Sequence, residues 1–222
     1  MKKSVLVLAA VVCSVAVAFP VAAQMGMGGP SMKGVWSPVV GSGAAYLMEN
    51  KREGKREMEI AIVGAETSEG KLGHWMEMAF KDREEGLVVV RHLLALDGKD
   101  MRILRMIFQQ GDDQPMEMSM QMMGMMGQKP KPQKADIRED AERVGTESVT
   151  TPAGTFSCEH WRARDKSAEF WFTDKVSPWG LVKMVSKDET LTLVRVITGA
   201  KTKIRGTPRK FDPAEMMRRP EL

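Results

Sequence analysis

Between Gly145 and Met184, short runs of β-branched and aromatic residues alternate with turn residues at a spacing that an antiparallel meander satisfies most economically. Thr146 to Thr150 reads as extended, and Pro152, Ala153 and Gly154 as a turn. Thr155 to Ala163 is a second strand, Arg164 to Lys166 a polar turn, and Ser167 to Thr173 a third strand. Ser177, Pro178, Trp179 and Gly180 then lead into a fourth strand beginning at Leu181.

The same pattern holds on either side. Val35 to Leu47 reads as a first strand bent by Pro38, Gly41 and Gly43. In Arg56 to Val63, Met58, Ile60 and Ile62 alternate with Glu57, Glu59 and Ala61, as in a half-buried strand. Gly64 to Gly70 reads as a polar turn. In Leu72 to Phe80, Leu72, His74, Met76 and Met78 alternate with Trp75 and Glu77. Leu87 to Leu96 is almost continuously apolar, with its valine run favouring strand, and Asp97-Gly98 sets a tight hairpin into Met101 to Gln109. Leu191 to Ile197 closes the sheet, followed by an extended piece from Lys201 to Ile204. Together these runs predict eight to ten antiparallel strands. One helix is expected over Lys134 to Val144, where Ile137, Ala141 and Val144 recur at roughly helical spacing.

The run VGTESVTTPAGTFSCEHWR, followed by EFWFTDKVSPWGLVKM, resembles a hairpin shared by a family of uncharacterised secreted bacterial proteins. More distantly, it is similar to the periplasmic lipoprotein carriers of the Lol type. That resemblance implies a half-open β-barrel around an apolar cavity that takes a lipid or a lipoprotein anchor, and it brings no catalytic residue with it. The resulting expectation is a mainly β (α+β) fold: a curved antiparallel sheet forming a half-open barrel, with one or two helices.

The compartment is read from the N-terminus. Lys2 and Lys3 precede an apolar run from Val5 to Ala18 and a small-residue cleavage site at Val21-Ala22-Ala23, the pattern of a secretion signal over residues 1–23. The mature chain is then periplasmic or secreted. The apolar run is shorter than the roughly 20 residues a membrane-spanning helix needs. Cleavage removes two lysines and no acid, taking the net charge from +4 to +2. That near balance gives no support to nucleic-acid binding, which normally shows a concentrated basic face. Of two cysteines only Cys158 remains, so no intramolecular disulfide is available and burial must stabilise the fold. Residues 24–33 read as a flexible leader, 34–204 as one β domain with a Met- and Pro-rich insertion at 111–134, and 205–222 as an irregular basic tail. The basic stretch from Lys201 to Arg219 offers either peripheral envelope contact or a solvated edge.

Chemistry concentrates in few places. Met116 to Met126 holds seven methionines in eleven residues. Thioethers suit Cu(I), and Met116, Met118, Met120 and Met122 form its candidate ligand set, with Met25, Met27 and Met32 as possible additions. Methionines are also flexible apolar surface for a greasy ligand. Cys158 and His160 share a strand face with Phe156 and Arg162, as either a thiol–imidazole pair or inert packing. His74 and His92 stand in apolar strands and read as satisfied core or cavity residues. The acidic residues are scattered through turns and exposed faces. No GxSxG, HExxH, phosphate-loop or dinucleotide motif is present.

The reading that results is a noncatalytic exported protein without an obligate cofactor. It binds a lipid or other hydrophobic ligand through Trp75, Met76, Met78, Phe156, Trp161 and Trp171. Cu(I) binding through the methionine segment and a purely structural envelope role are the alternatives.

Overall fold

The structure, a computed structural model, describes residues 34–52, 54–82, 86–120 and 132–211. The signal sequence, the leader with Met25, Met27 and Met32, Met122 and the end of the basic tail lie outside the described residues.

Thirteen strands form one sheet. The first meander comprises β1 (Ser42–Asn50), β2 (Gly54–Ser68), β3 (Lys71–Asp82), β4 (Gly86–Asp97), β5 (Asp100–Gln110) and the short β6 (Met116–Ser119). β7 (Gln133–Lys134) adds a two-residue ladder to β5. The second meander comprises β8 (Ala141–Thr151), β9 (Gly154–Ala163), β10 (Ala168–Phe172), β11 (Leu181–Ser186) and β12 (Glu189–Thr198). A final β13 (Arg209–Lys210) pairs in parallel with β6. The spatial order runs β13-β6-β5-β4-β3-β2-β1-β12-β11-β10-β9-β8, so the chain starts at the centre, meanders to one edge, crosses to the other and meanders back. β1 and β12, the first and last long strands, meet in an antiparallel ladder from Ser42↔Thr198 to Asn50↔Glu189.

Two expectations fail. The sheet is open: its path ends at β13 and β8, which do not pair with each other, so the strands do not close into a barrel. Nor does it carry one or two helices. Among the described residues no helix reaches seven residues, and Lys134 to Val144 contributes only a 3-10 turn, Ile137–Asp140. Asp136 caps that turn by accepting the Arg138 backbone N–H at 2.9 Å, and Ala141 immediately starts a strand that pairs with β9 along its length apart from one register shift at Val144. Three apolar residues at helical spacing are outweighed by an eleven-residue ladder that satisfies the backbone.

One face of the sheet is apolar along its length. Directly opposed residues share a face, and the pairing register places Ala44, Tyr46, Met58, Ile60, Ile62, Met76, Met78 and Phe80 on it. It continues across the seam through Leu193 and Leu191 to Phe170. Connecting segments cap this face. Trp36 stands 4.8 Å from Trp179 and 6.4 Å from His74 by ring centroids. Val35 donates its N–H to the Trp179 carbonyl at 3.0 Å, and the Ile137 N–H donates to the Gly34 carbonyl at 3.0 Å. Gly34 is required there, because a Cβ would fall 2.3 Å from the Trp179 carbonyl oxygen.

The opposite face of the first meander is covered by the segment after β12. Ile204 packs on the buried Trp75, Leu93 and Ile107. Glu77, expected on an exposed face, is buried beneath this strap and accepts hydrogen bonds from Thr202 Oγ1 at 2.6 Å and the Lys203 N–H at 2.7 Å. Buried Gln109 accepts from the Arg205 N–H at 2.7 Å and donates to the Arg205 and Asp113 carbonyls. Lys203 pairs with Glu59, and Arg205 with Asp112 at 3.0 Å.

Tyr46 is fully buried and its hydroxyl donates to the Leu181 carbonyl at 2.9 Å, linking β1 to the start of β11. Burial pushes its phenol pKa up. Tyr46→Phe leaves that carbonyl without its donor and is expected to cost about 1–3 kcal/mol in urea unfolding. An unchanged midpoint would show that the link contributes nothing.

Candidate functional site

The two sheet faces divide the chemistry. Among the described residues, all seven buried methionines stand together on the apolar face: Met48, Met58, Met76, Met78, Met101, Met106 and Met118. Two cross-strand rows organise four of them, with the half-buried Met116 beside them. One reads Ile62, Met76, His92, Met106, Met118; the next reads Ile60, Met78, Val90, Phe108, Met116. His92 is 3% exposed, and its Nε2 has no hydrogen-bond partner among the described residues. It is therefore not the satisfied core histidine that its apolar context predicts. Burial lowers its pKa to about 4, which keeps the ring neutral.

The residues proposed from sequence separate between the faces. Met76 and Met78 lie in adjacent rows of the methionine face. Trp161 is on the same face of the second meander, with the Arg138 guanidinium 5.9 Å from its ring. Trp75 points the other way: Arg91 and Arg105 lie 4.6 and 5.2 Å from its ring, and its Nε1 donates to Glu66 at 3.0 Å. Trp171 and Phe156 share that opposite side on the second meander. Of the methionine segment, Met116 and Met118 lie on the apolar side of β6, and Met116 Sδ accepts from Arg209 Nη2 at 3.6 Å.

A polar cluster occupies the opposite face of the second meander. His160 stacks on Trp171 at 4.4 Å with an interplanar angle of 14°. Its Nδ1 lies 3.1 Å from Glu147 Oε1 and its Nε2 3.1 Å from Glu169 Oε2. Trp171 Nε1 also donates to Glu147, and Lys183 Nζ lies 5.2 Å from the indole ring. Arg162 donates to Glu169 at 2.8 Å; that bond, helped by His160, holds the Glu169 carboxyl below its ordinary range against some burial. Both nitrogens of His160 are thus engaged by carboxylates.

Cys158 shares this face but makes no pair with His160. Its thiol is buried and donates to the Phe156 carbonyl at 3.6 Å. Burial, with Glu147 adding to it, pushes its pKa up to about 11, the reverse of an activated nucleophile. Among the described residues no group of three His, Cys, Asp or Glu side chains is placed to hold a metal ion. An open cleft of about 330 Å³ lies between the β1–β2 and β11–β12 turns. Charged residues line it, including Lys55 paired with Glu49, and it is remote in character from the methionine face.

No protein-family model matches the chain, and no curated protein matches it. Solved structures do. A Bacteroides fragilis protein of YmcC-like fold, described as exported, is 14% identical, with 74% of this chain and 99% of that chain covered and a TM-score of 0.36. A Parabacteroides distasonis protein described as a lipoprotein is 14% identical, with 74% and 99% covered and a TM-score of 0.35. A chain of the Pseudomonas aeruginosa MucA/MucB complex is 14% identical, with 75% of this chain and 55% of that chain covered and a TM-score of 0.32. These are bacterial proteins of distantly similar strand arrangement rather than carriers of the Lol type. At this level of likeness no ligand or partner transfers.

Two measurements follow. Above about pH 6.5 His92 is neutral in both the folded and the unfolded chain; below it the unfolded chain takes up a proton that the folded chain refuses until about pH 4. Stability therefore falls as pH drops through that window, by about 1.4 kcal/mol per pH unit. His92→Leu removes this component, so the difference in unfolding free energy between variant and wild type is expected to change by about 3 kcal/mol between pH 7 and pH 4. A parallel pH dependence would contradict the neutral buried ring. Cys158 in the native protein is expected to react with a maleimide at pH 8 at least about 100-fold more slowly than in urea. Rapid native labelling would place the thiol in a reactive setting.

Proposed function

We propose that the chain is a noncatalytic exported protein that holds an apolar ligand, such as a lipid acyl chain or a lipoprotein anchor, against the methionine face of its first meander. One observation carries this reading: all seven buried methionines stand on the same side of the sheet. A core that only needed filling is served better by Leu, Ile and Val, whose rotamers are few. Thioether side chains are unbranched and polarizable, so a surface made of them reshapes around ligands of different length. The signal sequence at residues 1–23 supplies the compartment, periplasmic or secreted.

The proposed lining is Met76 and Met78 with Met58, Met101 and Met106. Trp75 is left out because it faces the strap, and Trp171 because His160 and Lys183 occupy its surroundings. Catalysis is left out on positive grounds: the thiol is buried with a raised pKa, and the half-buried His160 is held by two carboxylates.

Native mass spectrometry of the protein purified from its own envelope is expected to show a bound lipid. Delipidated protein should bind a fluorescent fatty acid, with Met78→Gln weakening it about tenfold, or about 1.4 kcal/mol. Absence of both a bound lipid and probe binding would overturn the reading.

A further inference from the structure

The row containing His92 holds an imidazole that the apolar-ligand reading does not use. Met76, His92, Met106 and Met118 sit directly opposite one another on β3, β4, β5 and β6. Directly opposed residues on adjacent strands have Cβ atoms about 4.5–5.5 Å apart, so one imidazole is flanked by a thioether on each side, with a third one strand further on. All four side chains are buried, and the imidazole Nε2 has no partner among the described residues.

A buried polar atom without a partner costs about 1–3 kcal/mol, and a native fold that retains one has a reason to. A water molecule is a poor answer here. It needs two to four polar partners, and the neighbours on either side are thioethers, which are weak acceptors and cannot donate. A hard or divalent cation is a poor answer as well. The row has no carboxylate, and two uncompensated charges in an apolar interior are costly. A soft monovalent ion answers both objections: it takes nitrogen and sulfur donors, carries one charge and does not require oxygen ligands.

We propose that His92 Nε2 and the thioethers of Met76 and Met106, which flank it on the two adjacent strands, form a binding site for Cu(I). The site differs from the ligand set that the methionine run by itself indicates. It draws its donors from β3, β4 and β5 and shares none with that set, Met118 standing one strand further on. Met116 lies in the neighbouring row opposite Phe108, with its sulfur facing Arg209. All three donors are neutral, so loading transfers no proton, and the ion enters and leaves as Cu(I) with no change of oxidation state. The proposal is independent of acyl-chain binding, since a chain that takes no lipid probe can still hold the ion.

The test is an anaerobic competition between the mature apoprotein and the chromogenic Cu(I) chelator bicinchoninate. Wild type is expected to withdraw one equivalent of Cu(I). His92→Leu should lower the affinity by at least about 100-fold and Met106→Leu by about tenfold or more, both larger than the loss at outer-sphere positions. The double variant Met116→Leu/Met122→Leu should bind as wild type does. X-ray absorption of the loaded wild-type protein gives a readout that needs no variant to fold: one nitrogen and two sulfur donors are expected around copper. Failure of wild type to compete, full affinity in a folded His92→Leu protein, loss of binding in the Met116/Met122 variant alone, or a copper shell without nitrogen would each overturn the assignment.

Discussion

The ladder between β1 and β12 is the contact on which the rest of the structure depends. Each meander is built of hairpins whose strands are close in sequence, and such pairs form locally. The seam instead joins residues at opposite ends of the described chain, from Ser42↔Thr198 to Asn50↔Glu189. It makes one continuous face of two separate sheets, so that Tyr46 and Leu193 pack side by side. It also delivers the chain that leaves β12 to the edge of the first meander. Without the seam, neither the apolar face nor the strap has a partner.

The strap resolves a problem that the alternation of side chains creates. A strand such as β3 places Met76 and Met78 on one side and Trp75 and Glu77 on the other, so both faces of the first meander carry groups that water alone does not serve. The segment from Thr202 to Arg205 covers the second face with one apolar side chain, Ile204, and with backbone and hydroxyl donors for Glu77 and Gln109. Charge-assisted bonds to Glu77 compensate for its burial, which would otherwise be expensive. The basic residues Lys203 and Arg205 are committed to Glu59 and Asp112 in this structure.

The faces then differ in kind. The side under the strap and around His160 is polar: indoles bonded to carboxylates, guanidiniums over rings, an imidazole held by two glutamates, and the buried Arg91 Nε without a partner among the described residues. The other side gathers the buried thioethers and the His92 Nε2, which has no partner among the described residues. Binding chemistry belongs where groups are left uncommitted. A lipid chain and a soft ion are different claims on the same methionine surface: both call on Met76 and Met106, and only the ion calls on His92.

Much of the fold was legible in the sequence, because strand and turn are local properties. The hairpins from Thr146 to Met184 and the Asp97-Gly98 turn follow from residue type and a two-residue period, and the same period already separates Trp75 from Met76 and Met78. The helix expected at Lys134 to Val144 was misread because three apolar residues carry little information against an entire ladder. The extension of β2 through Ser68 was missed because its polar residues look like a turn until β3 pairs with them. Local chemistry thus determined that this chain forms antiparallel strands and contains many methionines. Only the tertiary structure decided that the sheet stays open, that Glu77 lies beneath the returning chain, and that His92 falls between Met76 and Met106. Those outcomes depend on register between strands distant in sequence, which no periodicity within one strand encodes.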